Sequence, residues 1–468
     1  MRSWIPEAIN YQINLRSFSF REPRNPVEAL AEPKKISSSL EYARQHLVDL
    51  DELGPTVLHL MPPFPIGVKG RKGIGSPYAV RDYLSVDPEH GTLDEMRAFV
   101  RAAHELGFRV ILGMVPNHTS RDHVWVTRHP EFYVCDEYRR PVFDADWSDT
   151  AKLDYRRREL REAMHAVYDF WLSLLGAGPD GLPEGVDGFR IDMAHLINDL
   201  GFWNEVIPAL RQRHRGRELL FLAEAYGTEP ALDLFQRGFN AAYDDLFYDY
   251  ARYFYARDEA GQSCIRPAPA AEDSSSFAPV LAAYKCGGMA GAAEVVLGHR
   301  EDRPGEEGQT ARWARYTDNH DEGRGVYRFG DGAVLALNQL IFLSGDSIPF
   351  LLAGQEFGAE NRPSIHTRIG VCDKGYRCVG DSGAEEVPGI EFEGNLFARD
   401  ARRRRGWFAF YRDLIALRLD TPELSRGDCR IIEAGESCPE HQRTVVAFER
   451  RHGEGLIRCA VNLGPETR

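Results

Sequence analysis

The sequence predicts an α/β protein built as a TIM-type (β/α)8 barrel, with a short insertion after the third strand and a small all-β module at the C-terminal end. Three observations carry this. Short β-rich apolar runs alternate with amphipathic helical stretches, the runs number eight, and the alternation gives way to turn-separated strands after residue 421. The 468 residues suffice for one such barrel, which takes about 250 residues and grows past about 400 with insertions.

The strands expected are Ala8–Asn14, Thr56–Leu60, Arg109–Val115, Val186–Asp192, Leu219–Ala223, Phe239–Tyr243, Ala311–Thr317 and Ile348–Ala353. Helices are expected over Leu40–Leu53, Leu93–Leu106 and Arg157–Leu175, each with apolar residues at three- and four-residue steps. Gly54 and Gly107 follow two of them and suit the left-handed residue that closes a helix. These elements divide the chain into two barrel parts, 1–118 and 152–421, an abbreviated domain B at 119–151, and a module at 422–468. That module has three strands, Cys429–Ile432, Thr444–Glu449 and Ile457–Asn462, and so reads as reduced or truncated. The stretch Asp258–Ser276, rich in Ala, Pro and Ser, reads as a flexible surface loop.

Composition narrows the function classes. Apolar residues at 43% and charged residues at 27% are the balance of a soluble globular chain. A formal charge of −14 argues against a nucleic-acid partner, which needs a positive field. No apolar run is long enough for a membrane span, and the opening MRSWIPEAINYQINLRSF lacks a secretory core, so the expected compartment is the cytoplasm. The eight cysteines form no CxxC and match no zinc spacing, and are read as reduced thiols; Cys372 and Cys378 alone are spaced to close a small loop. Oligomeric state is open.

A parallel barrel collects its reactive groups where strands end at the C-terminal face. Strand three ends in Pro116-Asn117-His118, strand four in Arg190-Ile191-Asp192, strand five at Glu224, and strand seven in Asp318-Asn319-His320-Asp321. Carboxylates cost several kcal/mol to bury unpaired, so three at these strand ends are not core filler. They suit glycoside cleavage with retention, in which one carboxylate attacks the anomeric carbon while a protonated partner serves the departing oxygen. Arg190, two residues before Asp192, points the same way and is expected to keep Asp192 ionised as nucleophile. Glu224, within LLFLAEA, is expected to stay protonated by desolvation and act as general acid/base. Asp321 is placed to stabilise the oxocarbenium-like transition state.

The segments VILGMVPNH (110–118), GFRIDMAH (188–195), FLAEAY (221–226) and YTDNHD (316–321) resemble the four signature regions of the α-amylase superfamily, glycoside hydrolase family 13. In style the chain is closest to the α-glucosidase and trehalose synthase branch. The resemblance implies Asp192 as nucleophile, Glu224 as acid/base and Asp321 as transition-state stabiliser. It implies further that His118, Arg190 and His320 line the attacked sugar, that Tyr78 stacks on it, and that Arg324 contacts substrate. The implied activity is a retaining hydrolase acting on α-linked gluco-oligosaccharides. The alternatives are a transglycosylase or isomerase of the same family, trehalose synthase-like or maltosyltransferase-like, and a non-catalytic carbohydrate-binding barrel.

Two departures stand out. Gly113 occupies a place where family members carry a supporting Asp, which puts the local geometry in question. Leu196 replaces a histidine of the calcium-dependent amylases, so Asn117 alone does not make a calcium site, and no metal or cofactor is expected. The loop Ile66–Ser76, IGVKGRKGIGS, loosely resembles one that handles maltose 1-phosphate in the maltosyltransferase branch. Its alternatives are a phosphate cradle using Lys69, Arg71 and Lys72, or a solvated loop.

Overall fold

The computed structural model describes residues 2–18, 38–258, 262–265, 278–298, 311–345, 347–360, 362–363, 365, 370–371, 401–432 and 444–464. Eight parallel strands close into a barrel in which each pairs with its neighbours in sequence: β1 (Asn10–Ile13), β2 (Val57–Leu60), β3 (Arg109–Met114), β4 (Gly188–Ile191), β5 (Leu220–Ala223), β6 (Ala241–Tyr243), β7 (Arg312–Arg315) and β8 (Ser347–Leu352). Each lies inside an expected run or within one residue of it. Sequences such as VLHL, RVILGM and SIPFLL are nearly continuous apolar runs because helices cover the outer face and side chains fill the lumen.

Helix α1 (Leu93–Glu105) shows how local chemistry sets the frame. Thr92 Oγ1 accepts from the Glu95 amide at 3.2 Å and Glu95 Oε2 accepts from the Thr92 amide at 2.8 Å, a reciprocal cap. Met96, Phe99, Val100 and Ala103 then form the buried stripe. Helix α2 (Arg158–Leu172) buries Leu160, Met164, Val167 and Trp171 in the same way. Gly54 (φ 94°) and Gly107 (φ 87°) both take the left-handed conformation that closes the preceding helix.

The helix expected over Leu40–Leu53 is instead two, Ser39–Gln45 and Leu47–Leu53. The turn tightens at His46, whose amide reaches back only to Ala43, and its ring packs on Tyr42 and pairs with Asp49. The apolar stripe Leu40, Ala43, Leu47, Leu50, Leu53 continues across the break.

The insertion after β3 is compact. His118–Ser120 pairs antiparallel with Thr150–Lys152, and a single helical turn, Val124–Arg128, lies between them. At the C-terminal end β9 (Asp428–Ile432), β10 (Val445–His452) and β11 (Gly455–Asn462) form one antiparallel sheet. It is tied to the barrel side by Tyr255, whose hydroxyl donates to the Leu463 carbonyl at 2.8 Å. Of the cysteines, 135, 264, 286, 429 and 459 are free thiols; Cys372, Cys378, Cys438 and most of Asp258–Ser276 lie outside the described residues. No helix among the described residues is long and apolar enough to cross a membrane.

Candidate active site

The C-terminal ends of β3, β4, β5 and β7 converge on Arg190. Its guanidinium is 1% exposed and takes both facing carboxyls at once, Nη1 at 2.8 Å from Asp192 Oδ1 and Nη2 at 2.7 Å from Glu224 Oε1. The first contact is an aligned hydrogen bond; the second is an ion pair without hydrogen-bond alignment. The two acids are therefore neighbours at the same end of the barrel, bridged by one guanidinium. Tyr243, at the end of β6, packs its ring 5.4 Å from the guanidinium carbon, and Tyr78 covers it at 5.6 Å.

The electrostatics differ from the expectation that Arg190 simply holds Asp192 ionised. Burial, then the neighbouring charge of Glu224, push the Asp192 carboxyl well above its ordinary range, and Arg190 only partly opposes them. The physical reason is division: one guanidinium serves two acids, so the pair favours keeping one proton between them. Asp321 behaves oppositely. Burial would raise it, but the charges of His320, Arg190 and Arg362 outweigh that and hold it at about 2. Its side chain is 39% exposed and so open to an incoming molecule.

Glu224 is aimed from the main chain as well. The Met193 amide donates to its Oε2 at 3.0 Å. Met193 adopts φ 45°, a left-handed conformation uncommon for a residue with a side chain, directly after Asp192.

The remaining expected contacts fall into two groups. His320 lies with Nδ1 3.2 Å from Gln12 Oε1 and Nε2 3.0 Å from Asp321 Oδ2, and Nε2 also meets the Tyr78 hydroxyl. The Tyr78 and His320 rings are nearly parallel, 5.4 Å apart. His118 is buried beside Trp147, and burial, followed by opposing effects of Asp144 and Lys152, brings its imidazole down to about 4. Tyr78 and His320 thus pack together against Arg190 and Asp321, while His118 sits against domain B.

Arg324 serves the fold instead. Its guanidinium is fully buried and donates to the carbonyls of Leu352 and Ala353 at 3.3 and 2.6 Å, with Asp318 3.8 Å away. It ties β8 to the loop after β7, and the expected substrate contact is corrected to a structural one.

Gly113 is explained by its neighbour. It pairs in register with Arg190, and a Cβ there would come within 2.7 Å of Pro62 Cδ. The proline ring fills the space an aspartate would enter.

Lys152 is a residue the sequence pattern did not single out. Its ammonium donates to Asn117 Oδ1 at 2.8 Å, Asp144 Oδ2 at 2.5 Å and the Leu196 carbonyl at 2.8 Å. Asn117 and position 196 are the places where calcium was weighed above. Calcium requires six to eight oxygen ligands, and here three converge on an ammonium instead, so these residues do not fit the ion. Among the described residues no group of three or more His, Cys, Asp or Glu is arranged to hold a metal. In the glycine-rich loop, Arg71 donates to the carbonyls of Gly67 and Ile66, and Lys72 to that of Asp146, so both cations are spent on backbone.

Known proteins resemble this chain in sequence and fold. Residues 36–140 match the α-amylase catalytic domain. The chain is 27% identical over 371 residues to the α-amylase MalA of Haloarcula japonica, covering 77% of this chain and 45% of that protein. These matches all indicate the α-amylase family, glycoside hydrolase family 13. Within the family the chain is also 30% identical over 245 residues to the α-1,4-glucan:maltose-1-phosphate maltosyltransferase of Rhodospirillum rubrum, covering 47% of this chain and 33% of that one. It spans less than half the length of both relatives. The maltogenic α-amylase AmyB of Thermotoga neapolitana shares the fold, with a TM-score of 0.69, 23% identity, and 98% and 86% of the two chains covered.

Proposed function

We propose that the chain is a retaining enzyme acting on α-glucosidic linkages of gluco-oligosaccharides, by hydrolysis or by transfer to another sugar. The observation that carries this is Arg190 holding Asp192 and Glu224 together. Inverting enzymes separate their acids by about 6.5–9.5 Å to admit a water, whereas retaining ones keep them about 5–5.5 Å apart. Carboxyls bridged by a single guanidinium fit the shorter separation.

In the proposed sequence Asp192 attacks the anomeric carbon and the bond to the departing oxygen breaks. The proton held between the acids passes to that oxygen through Glu224. A water or sugar hydroxyl then gives its proton to Glu224 and displaces Asp192. Asp321, ionised across the neutral range, faces the positive charge that develops on the ring. Tyr78 offers an aromatic face to the apolar side of a pyranose. The oxygen cage already filled by Lys152 supports action without calcium.

Incubation with a fluorinated, mechanism-based α-glucosyl inhibitor followed by peptide mass spectrometry tests the proposal. A label on the peptide bearing Asp192 is expected; an unlabelled Asp192 peptide in a protein that still turns over substrate overturns it. Chromatography of products from maltose and maltotriose separates the two outcomes, since transfer gives chains longer than the substrate.

A further inference from the structure

Beside the proton donor lies a cavity of about 440 Å³. Glu224, Tyr226 and Asp321 line it together with Glu322 and with Asp245 and Asp249, from helix α3 (Asp245–Phe254). Tyr78, His118 and Asp192, the groups expected around the attacked sugar, do not line it. A space that touches the acid and avoids the nucleophile lies where the departing group must go. Its size suits a sugar ring or an aryl group.

Its charge is one-sided. Beyond the proton donor it carries the carboxyls of Asp245, Asp249, Asp321 and Glu322 against one lining arginine, Arg252, which has Nη2 2.7 Å from Asp249 Oδ1, while Arg328 lies 3.6 Å from Glu322 Oε2. Asp245 accepts from the Gly227 amide at 3.0 Å and from the Tyr316 hydroxyl at 3.2 Å, which fixes its carboxyl in the wall. Burial pushes Asp245 up to about 7, against the pull of the Gly227 amide, so it retains substantial charge at neutral pH. Glu322 accepts from the Tyr248 hydroxyl at 2.9 Å. Carboxylates in such a wall accept hydrogen bonds from sugar hydroxyls and attract cations, and they repel phosphate and carboxylate groups. Of the three loop cations, Arg71 and Lys72 donate to backbone carbonyls, and neither they nor Lys69 line the cavity.

We propose that this cavity receives the departing or accepting group, and that Asp245, Asp249 and Glu322 make it select neutral and cationic groups against anionic ones, a sugar phosphate included. This rests on the glycosidase reading above.

Two aryl α-glucosides that differ in the charge of the departing group test it, 4-(aminomethyl)phenyl and 4-carboxyphenyl. The ratio of their kcat/KM values is compared between the wild type and the variants Asp245→Asn and Glu322→Gln, so that intrinsic differences in leaving ability cancel. Each variant is expected to lower the cationic-to-anionic ratio by roughly threefold or more, and added salt to narrow the wild-type ratio. Glu322 is half-buried, more open than Asp245, and its variant tests the idea if Asp245→Asn does not fold. A ratio unchanged in every folded variant, or one shifted toward the cation, overturns the proposal. If the wild type cleaves neither compound, the glycosidase reading falls by itself; the same ratio is then taken from dissociation constants by calorimetry, with the same outcomes deciding.

Discussion

Replacing Lys152 with methionine removes one ammonium and leaves its three oxygens facing each other. The side chain is 12% exposed and that of Asp144 31%, so the pair is neither fully buried nor freely solvated. Breaking a buried ion pair costs about 3–5 kcal/mol, and the partial exposure of Asp144 places this case near the lower end, about 3 kcal/mol. With unfolding entropy near 2.1 cal/mol/K per residue, a chain this size would melt about 3 °C lower. The network also anchors domain B, including His118, to β3 and to the segment after β4, so KM for oligosaccharides should rise while chemistry on a small aryl glucoside changes little. Calorimetry and steady-state kinetics measure both. The vacated cage, with the Asp144 carboxylate, the Asn117 amide oxygen and the Leu196 carbonyl, should now take millimolar calcium and recover part of the lost stability, whereas the wild type should ignore both calcium and a chelator. A Lys152→Met protein that melts within half a degree of wild type, or a wild type that loses activity in a chelator, would refute this reasoning.

Three further outcomes are expected. Glu224→Gln should lose most activity on oligosaccharides but little on substrates with acidic leaving groups, which need no proton; equal losses across a leaving-group series would count against its role. Arg324→Ala should cost about 3–5 kcal/mol of stability, read by denaturant unfolding, with unchanged preference among substrates. Glu356 is fully buried, accepts from the Tyr11 hydroxyl at 2.5 Å and the Gly354 amide at 2.9 Å, and is pushed by burial from 4.5 to about 7. The folded state thus holds this proton more tightly than the unfolded chain, so the contribution is complete below about pH 4.5 and lost as pH rises through about 7. The stability advantage of wild type over Glu356→Gln should shrink by about 3 kcal/mol across that window; a constant difference would sink the assignment.

The barrel was legible because burial on both faces writes strands as apolar runs, and because helices of one amphipathic period separate them. The acids were legible for a related reason: Asp192 and Glu224 stand just past strands whose ends the runs define. What sequence did not carry was direction and company. Arg324 lies three residues past Asp321, near the end of the loop after β7, where no periodicity fixes a heading, and it turned inward. Lys152 meets Asn117 and Leu196 across distances of 35 and 44 residues, and only the folded insertion brings them together. Tyr243 was visible as the last residue of β6, but nothing local indicated that its ring would face Arg190. The break at His46 left the apolar pattern undisturbed and so gave no signal in it.

The left-handed turn at Met193 has a consequence for how this centre can change over time. A proton donor aimed by a peptide group is blind to most side-chain replacements at that position, so long as the unusual dihedral survives. Glycine or asparagine at 193 should keep the aim, while valine or isoleucine, which resist positive φ, would swing the amide away from Glu224 without touching either acid. Drift at 193 is therefore constrained by backbone shape rather than by chemistry, and a branched residue there would silence the centre while every acidic group stayed in place.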